Sequence, residues 1–275
     1  MRNALSVDVE DWFQVGAFET VIARGDWDSL DQRVEANTDA VLALFERARV
    51  QATFFTLGWV AERFPALIRR IVAQGHEVAS HGWDHIRVFT MTPEAFAADI
   101  DRAKKTIEDV AGAAVTGYRA PSFSIDVRTP WAHPILAERG YAYSSSVAPV
   151  KHDHYGWPEA PRFAWHPVAG SAFVELPVTT ARLAGRTLAA GGGGFFRLLP
   201  YAFSAWAIRQ VNAASQPAIF YFHPWEIDPN QPRVAGAPVR SKVRHYTNLP
   251  VMAGKLTRVM RDFEWGRVDS IAARA

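Results

Sequence analysis

The chain has 275 residues, 49% of them apolar and 21% charged, which is the composition of a globular protein with enough apolar side chains for a large core. Its net charge of +2 and the lack of a lysine- or arginine-rich run argue against a nucleic-acid partner. The chain has no cysteine, so disulfides and thiolate metal sites are excluded, and histidine and carboxylate side chains must hold any metal ion.

The sequence predicts neither a membrane-spanning segment nor a leader. No stretch approaches the roughly 18 consecutive apolar residues of a transmembrane helix. The N-terminal sequence reaches an acidic residue at Asp8, which is not typical of a signal peptide. We therefore expect a cytoplasmic protein. The oligomeric state is not indicated by the sequence.

Apolar strand-like segments alternate with amphipathic helical segments along the whole chain. Seven strands are predicted, over residues 4–9, 52–57, 76–80, 115–119, 141–147, 173–178 and 218–222, with a further candidate at 267–271. Helices are predicted over residues 33–49, 60–74, 92–112, 129–140, 198–214 and 249–263. This alternation predicts an α/β protein with a parallel sheet, and the length favours a closed or nearly closed barrel in one domain, residues 1–275.

Two connecting segments are unusual in composition. Residues 148–170 form a long connection rich in proline, histidine and tryptophan, and loops of this length commonly carry function. We interpret its His152 and His154 as contacts to a substrate in preference to metal ligands. Residues 191–194 are four glycines without the G-K-[ST] ending of a phosphate-binding loop, so we interpret them as a mobile turn near the site.

Polar residues capable of catalysis lie at the carboxyl ends of four of the predicted strands. They are Asp8, Glu10 and Asp11 at the end of the first strand, His81 and His85 at that of the third, Arg119 at that of the fourth and His223 at that of the seventh. In a parallel barrel the carboxyl ends of the strands meet at one face, and the active site lies there. We therefore predict a single active site that brings these residues together.

The types of these residues indicate metal-dependent hydrolysis of an amide or ester. His81 and His85 would face the same way in a helical turn, and such a pair often binds Zn²⁺ or another divalent ion; the alternative is two surface histidines. Two imidazoles and one carboxylate leave open positions on the ion, which activates water and polarises a carbonyl oxygen. A second carboxylate could take the proton from water, with Arg119 keeping it ionised. A third histidine could protonate a departing amine.

Four segments in order resemble the motifs of the polysaccharide deacetylases with a NodB homology domain, a carbohydrate esterase family with a distorted (β/α)7-type barrel. They are S-V-D-V-E-D at residues 6–11, S-H-G-W-D-H at 80–85, R-A-P-S-F at 119–123 and F-H-P at 222–224. Further segments, such as G-G-G-F-F-R-L-L-P-Y and R-H-Y-T-N-L, resemble a branch associated with exopolysaccharide/exosortase loci. That resemblance implies a family-specific C-terminal extension over about residues 226–275.

The resemblance implies an enzyme that removes N-acetyl groups from a polysaccharide or an oligosaccharide precursor in exopolysaccharide biosynthesis. In that case Asp8 is the general base and His223 the general acid. His81 and His85 bind the metal ion, and Arg119 orients the base. The implied cofactor is Zn²⁺, with Co²⁺ or another divalent ion as an alternative.

Three further residues are expected to contact the substrate. Trp12 and Trp225 lie beside the motifs and could stack on a sugar face, although core packing is the commoner use of tryptophan. By the resemblance, a backbone N–H just after Pro121 would help to hold the oxyanion.

The chain departs from the family pattern at two positions. The usual T-F-D-D is D-V-E-D here, with Val9 in place of the second aspartate, so the metal-binding carboxylate would be Glu10 or Asp11. A D-x-[DE] spacing found in part of the family favours Glu10. An acidic residue expected near Ser144 is absent, which leaves the surroundings of His223 open.

Other functions remain as alternatives at this point. An amidohydrolase of the same fold could act on a small cyclic amide, as the allantoinase-like relatives do. A degenerate sugar-binding module would be a non-enzymatic reading of the same motifs. A two-histidine, one-carboxylate iron oxygenase is disfavoured because an H-x-[DE] pair is not present at His81–Gly82.

Overall fold

The structure is a computed structural model and describes residues 1–152 and 155–275. The strands in these ranges are β1 Arg2–Val9, β2 Thr53–Thr56, β3 Glu77–Ser80, β4 Gly117–Tyr118, β5 Tyr143–Ser144, β6 Val174–Glu175, β7 Thr180–Leu183, β8 Arg186–Ala189, β9 Ile219–Phe222 and β10 Glu264–Gly266. Eight of them form a central parallel sheet in the order β10-β1-β2-β3-β4-β5-β6, with β9 also paired to β1. Strands β7 and β8 form a separate antiparallel hairpin.

Helices connect the strands of the parallel sheet. They are α1 Val34–Ala48, α2 Gly58–Arg63, α3 Pro65–Ala73, α4 Pro93–Ala111, α5 Ala132–Glu138, α6 Gly193–Leu198, α7 Tyr201–Ala213, α8 Val239–Tyr246, α9 Leu249–Asp262 and α10 Asp269–Ala272. Helix α4 shows why its boundaries could be predicted: Thr92 Oγ1 accepts a hydrogen bond from Ala95 N (3.2 Å), and Gly112 ends the helix with φ 64°. None of the helices in the described ranges is long and apolar enough to cross a membrane.

The sheet curves into a half-barrel, which confirms the predicted parallel α/β architecture. The segments that follow β6 partly close its open side against β9. Thr179 N donates to Ile219 O (3.1 Å), and Tyr221 N donates to Gly191 O (2.8 Å). Since the central strands are covered on both faces, they are almost continuously buried, as seen over Asn3–Val9.

Several predicted elements have different boundaries for local reasons. The helix predicted over residues 60–74 is broken at Phe64, because the residue before Pro65 is disfavoured in the helical conformation. The helix predicted over 198–214 is α7, which begins only at Tyr201 because Pro200 precedes it and separates it from α6, a helix that was not predicted. The candidate strand at 267–271 is wrong: the strand is β10, and α10 occupies that segment.

Two further elements, the β7–β8 hairpin and α8, were not predicted either. The β7–β8 hairpin turns at Ala184 and Gly185, both with positive φ (48° and 75°). Each strand has only four residues, and R-T-L-A of β8 does not alternate between polar and apolar residues, so the strand signal is weak. Helix α8 has only one fully buried residue, His245, so it leaves a weak apolar period in the sequence.

Candidate active site

The carboxyl ends of β1, β3 and β9 open into one cavity of about 500 Å³. Its lining includes five of the residues predicted for the site, namely Asp8, Glu10, His81, His85 and His223. The cavity is where parallel strands of this architecture place their ligand-binding residues, because the loops after neighbouring strands converge there.

Glu10, His81 and His85 form a group that could hold a metal ion. One ligand atom from each lies within 4.8 Å of the others, and all three residues are buried. Glu10 Oε2 lies 2.9 Å from His85 Nε2, yet among the described residues it accepts no hydrogen bond of regular geometry. A buried carboxylate oxygen that faces two imidazoles in this way fits a divalent cation with nitrogen and oxygen ligands.

The two histidines are not brought together by a helical turn, so that expectation is corrected. The backbone from His81 to His85 is a bend without helix, with Gly82 (φ 74°) and His85 (φ 62°) in the left-handed region. The bend places the centroids of the two imidazole rings 5.5 Å apart. His81 Nδ1 lies 2.8 Å from Arg119 O, which leaves Nε2 for the cavity. Burial lowers the pKa of His81 to about 4, so the imidazole is neutral and able to bind a metal ion.

Asp11, the alternative ligand, has both carboxylate oxygens engaged elsewhere. Oδ2 accepts hydrogen bonds from Arg33 N (2.7 Å) and Val34 N (2.9 Å) at the start of α1, and Oδ1 accepts one from Trp12 N (2.8 Å). Asp11 therefore fixes the N-terminus of α1, and Glu10 is the carboxylate that faces the histidines.

Replacement of the carboxylate by an amide should affect stability at Asp11 and metal binding at Glu10. Asp11→Asn replaces one accepting oxygen with a donor, so we expect a loss of about 0.5–2 kcal/mol in the free energy of unfolding with metal binding retained. Glu10→Gln should abolish stoichiometric metal binding. Urea denaturation and metal titration of both variants measure the difference. Loss of metal from Asp11→Asn alone would reverse the assignment of the ligand.

Arg119 is fully buried and holds Asp8 at the end of β1. Its Nη1 donates to Asp8 Oδ1 (2.6 Å) and to Ser6 Oγ (2.7 Å). Its other donors bind Ser145, with Nε to the backbone oxygen (3.0 Å) and Nη2 to Oγ (2.9 Å). The guanidinium is thus fixed by four hydrogen bonds, and through one of them it orients the Asp8 carboxylate.

His223 lies across the cavity from the two histidines. Its Nε2 is 3.4 Å from Glu10 Oε1, and its Nδ1 is 2.9 Å from Glu226 Oε1. Burial lowers the pKa of His223, but the charges of Glu10 and Glu226 outweigh it and raise the pKa to about 9. For Glu10 the two effects have the opposite signs. Burial raises the pKa of this carboxyl group, but the neighbouring imidazoles of His85 and His223 outweigh burial and lower the pKa to about 2.

Of the three residues predicted to contact the substrate, only Trp225 is among the described residues that line the cavity. Trp225 lines the cavity, and its Nε1 donates to Glu10 Oε1 (3.3 Å). Trp12 packs in the core against Phe13, with Nε1 donating to Asp31 O (2.9 Å), and it is not among the described residues that line the cavity, so we correct that expectation. Pro121 is buried.

The residue after Pro121 and the long connection do reach the cavity. Ser122 lines it and has a left-handed backbone, φ 55°. His152 stacks on Tyr155 (ring centroids 4.1 Å apart), and both line the cavity, whereas His154 lies outside the described residues. Phe123 packs against Tyr155 and Tyr221, so these three rings form an aromatic wall of the cavity that the sequence did not reveal.

The last two of the four glycines begin helix α6, and Gly191 and Gly192 precede it, so the segment is not simply a turn. A Cβ at Gly193 would overlap Glu226 Oε1. Glu226 forms an ion pair with buried Arg197 (Nε to Oε2, 2.6 Å). Arg197 was missed because its partner lies 29 residues away and its neighbours are apolar.

Two family profiles match the chain in succession. Residues 27–143 match the polysaccharide deacetylase family, and residues 145–273 match a domain of unknown function, DUF3473. The first match includes Arg119 and both histidines of the Glu–His–His group, whereas Asp8 and His223 lie outside it. The parallel sheet contains strands from both matched segments.

Curated relatives resemble part of the chain. It is 31% identical to a peptidoglycan deacetylase of Helicobacter pylori over 113 residues, which is 41% of this chain and 38% of that protein. It is also 31% identical to a chitooligosaccharide deacetylase of Bradyrhizobium sp. over 110 residues, which is 40% of this chain and 48% of that protein. The chain thus matches less than half the length of these relatives.

Solved structures resemble nearly the whole chain. A protein assigned as a polysaccharide deacetylase in Mycobacterium smegmatis superimposes with a TM-score of 0.61 at 19% identity, covering 99% of this chain and 90% of that chain. A peptidoglycan N-acetylglucosamine deacetylase superimposes with a TM-score of 0.52 at 14% identity, covering 98% and 86%. At these identities the likeness establishes the fold.

Proposed function

Because the chain belongs to the polysaccharide deacetylase family through residues 27–143, we propose that it removes N-acetyl groups from a glycan with the help of a divalent metal ion. The observation that carries this proposal is the grouping of a paired carboxylate, Asp8, a Glu–His–His cluster and a third histidine, His223, around one cavity. These are the base, the ligands and the acid that amide hydrolysis requires.

Each residue has a distinct part in the reaction. Bound Zn²⁺ or another divalent ion would polarise the acetamide carbonyl and make water more acidic. Asp8 takes a proton from the attacking water, while Arg119 keeps the carboxylate oriented. As the C–N bond breaks, His223 gives the proton on Nε2 to the departing nitrogen. The products are acetate and a glycan with a free amine.

The substrate is proposed to be a polysaccharide or an oligosaccharide precursor. A cavity of about 500 Å³ with an aromatic wall of Phe123, Tyr155 and Tyr221 suits stacking on sugar faces. The two relatives named above act, by their names, on peptidoglycan and on chitooligosaccharides. The segments that resemble the exopolysaccharide branch favour an exopolysaccharide among N-acetylated glycans.

Acetate release from a panel of N-acetylated oligosaccharides tests the proposal. The protein is stripped with a chelator and reloaded with Zn²⁺ or Co²⁺, and we expect activity only after reloading. His223→Ala should lower kcat by about 10²–10⁴-fold, since a positioned general acid contributes that much. Stoichiometric metal without acetate release from any glycan would contradict the proposal and favour hydrolysis of a small cyclic amide.

A further inference from the structure

A buried carboxylate in the cavity wall has no part in the steps above. Glu226 is fully buried and lies one turn after His223. Its Oε1 accepts two hydrogen bonds from that residue, one from the backbone N (3.1 Å) and one from Nδ1 (2.9 Å). Both contacts are possible at once because the chain after His223 makes a tight turn, Pro224–Ile227.

The other oxygen of Glu226 is held by Arg197. Arg197 is 1% exposed, and its Nε donates to Glu226 Oε2 (2.6 Å). Its Nη1 and Nη2 donate to backbone oxygens at the end of α8, those of Arg244, His245 and Thr247. The carboxylate therefore cannot rotate without breaking a charge-assisted hydrogen bond on one side or the other. Gly193 lets α6 approach closely enough for this arrangement.

The ring of His223 is also fixed from the side. It stacks on Trp225 with ring centroids 5.1 Å apart and planes 17° apart. Trp225 stacks in turn on His245, at 4.0 Å and 11°, and His245 Nε2 lies 2.6 Å from Gln231 Oε1. With its plane set by Trp225 and its Nδ1 directed to Glu226, the ring presents Nε2 to the cavity next to Glu10.

We propose that Glu226 is the positioning residue of His223, and that Arg197 and the glycine segment 191–194 hold it in place. The proposal rests on the function proposed above, in which His223 Nε2 donates a proton to the departing amine. It supplies, from a different part of the chain, the carboxylate that the family resemblance led us to expect near Ser144. Ser144 Oγ instead donates to Ser146 Oγ (2.6 Å).

Glutamine at position 226 would disturb this geometry in a defined way. Arg197 Nε can only donate, so it would keep the amide oxygen on its side and turn the NH₂ group toward His223 Nδ1. Nδ1 would then have to accept, and the tautomer with Nδ1–H would be lost. A carboxylate-to-amide change next to a catalytic histidine impairs catalysis in this manner in serine proteases.

The leaving group distinguishes a positioning role from a general structural one. Glu226→Gln should lower kcat for N-acetyl hydrolysis by about 10²-fold, with KM and metal content changed less than about twofold. Hydrolysis of an aryl acetate ester should change less than about twofold, because a phenolate departs without being protonated. Equal losses on the amide and the ester, or no loss on the amide, would overturn the proposal.

Two further variants exclude instability and indirect effects. If Glu226→Gln folds poorly because Arg197 is left unpaired, Glu226→Gln/Arg197→Gln removes both charges and should show the same amide-to-ester difference. In a His223→Ala background, Glu226→Gln should have no further effect on the amide rate; additive losses would contradict a role through His223. Glu77→Gln, which changes a carboxylate bonded to Tyr143 at the other end of the sheet, is the control and should leave the amide-to-ester ratio unchanged.

A measurement without substrate separates this proposal from the proposed function. In ¹⁵N-histidine NMR of the metal-loaded protein, His223 should show a hydrogen-bonded Nδ1–H that is lost in Glu226→Gln. An Nδ1–H signal unchanged by the substitution overturns the positioning role even if the wild type is an active deacetylase. A wild type that releases no acetate but shows the expected NMR change contradicts only the proposed function.

Discussion

Asp8→Asn should lower kcat for acetate release by at least about 10²–10⁴-fold and leave the bound metal unchanged. The amide oxygen of asparagine can still accept the hydrogen bond from Arg119 Nη1, so the buried guanidinium keeps its partner and the fold is preserved. What is lost is the ability to take a proton from water, which is the part that a general base contributes. Steady-state acetate release and metal analysis of the purified variant measure the two quantities.

The control for this experiment is Asp31→Asn. Asp31 is exposed and lies at the surface end of an ion pair with Arg33, so its loss should change activity by less than about twofold. Full activity of Asp8→Asn would remove Asp8 from the role of base. Loss of metal from Asp8→Asn would make it a ligand and require a different base.

His81→Ala should lose both the metal ion and the activity. His81 supplies one of three buried ligand atoms and is held by Arg119 O through Nδ1, so no neighbour can take its place without moving the backbone. Removing a residue that only supports a ligand typically weakens metal binding by about 10–100-fold, and we expect a larger loss for the ligand itself. Competition with a chromophoric chelator measures the affinity.

A histidine outside the cavity provides the comparison. His166 Nδ1 lies 3.0 Å from Phe173 O in the long connection, and His166→Ala should retain stoichiometric metal and the full rate. Stoichiometric, tightly held metal in His81→Ala would contradict the Glu–His–His site. Together with Asp8→Asn, this pair of variants separates loss of the base from loss of the ion.

The grouping of the candidate site residues in one cavity could be predicted from the sequence because strand ends converge in a parallel fold. The architecture sets the position of a residue at the end of a strand, such as Asp8, or just after it, such as His223. His81 and His85 lie together as predicted, but the backbone conformation that brings them together was not predicted. A bend with positive φ at Gly82 and His85 leaves no periodic pattern in the sequence.

Long-range partners could not be predicted in the same way. Arg197 and Glu226 meet because a glycine segment allows α6 to pack against the turn after β9, and nothing in either local sequence specifies the other. Trp12 shows the opposite error. Its place beside the first motif suggested a sugar contact. Instead, the chain after β1 turns the indole into the core, where it packs against Phe13 and donates a hydrogen bond to Asp31 O.

Strand β1 occupies the middle of the sheet, and this has a consequence for biosynthesis. Its partners are β2, β9 and β10, the last of which is Glu264–Gly266. Pairing of strands so far apart in the sequence closes a very long loop, and the chain loses conformational entropy before the new contacts can stabilise the pair. Glu10, at the exit of β1, therefore acquires its final surroundings only after Trp225, 215 residues later in the chain, has been synthesised and has folded against it. During synthesis, the first part of the cavity waits for the last.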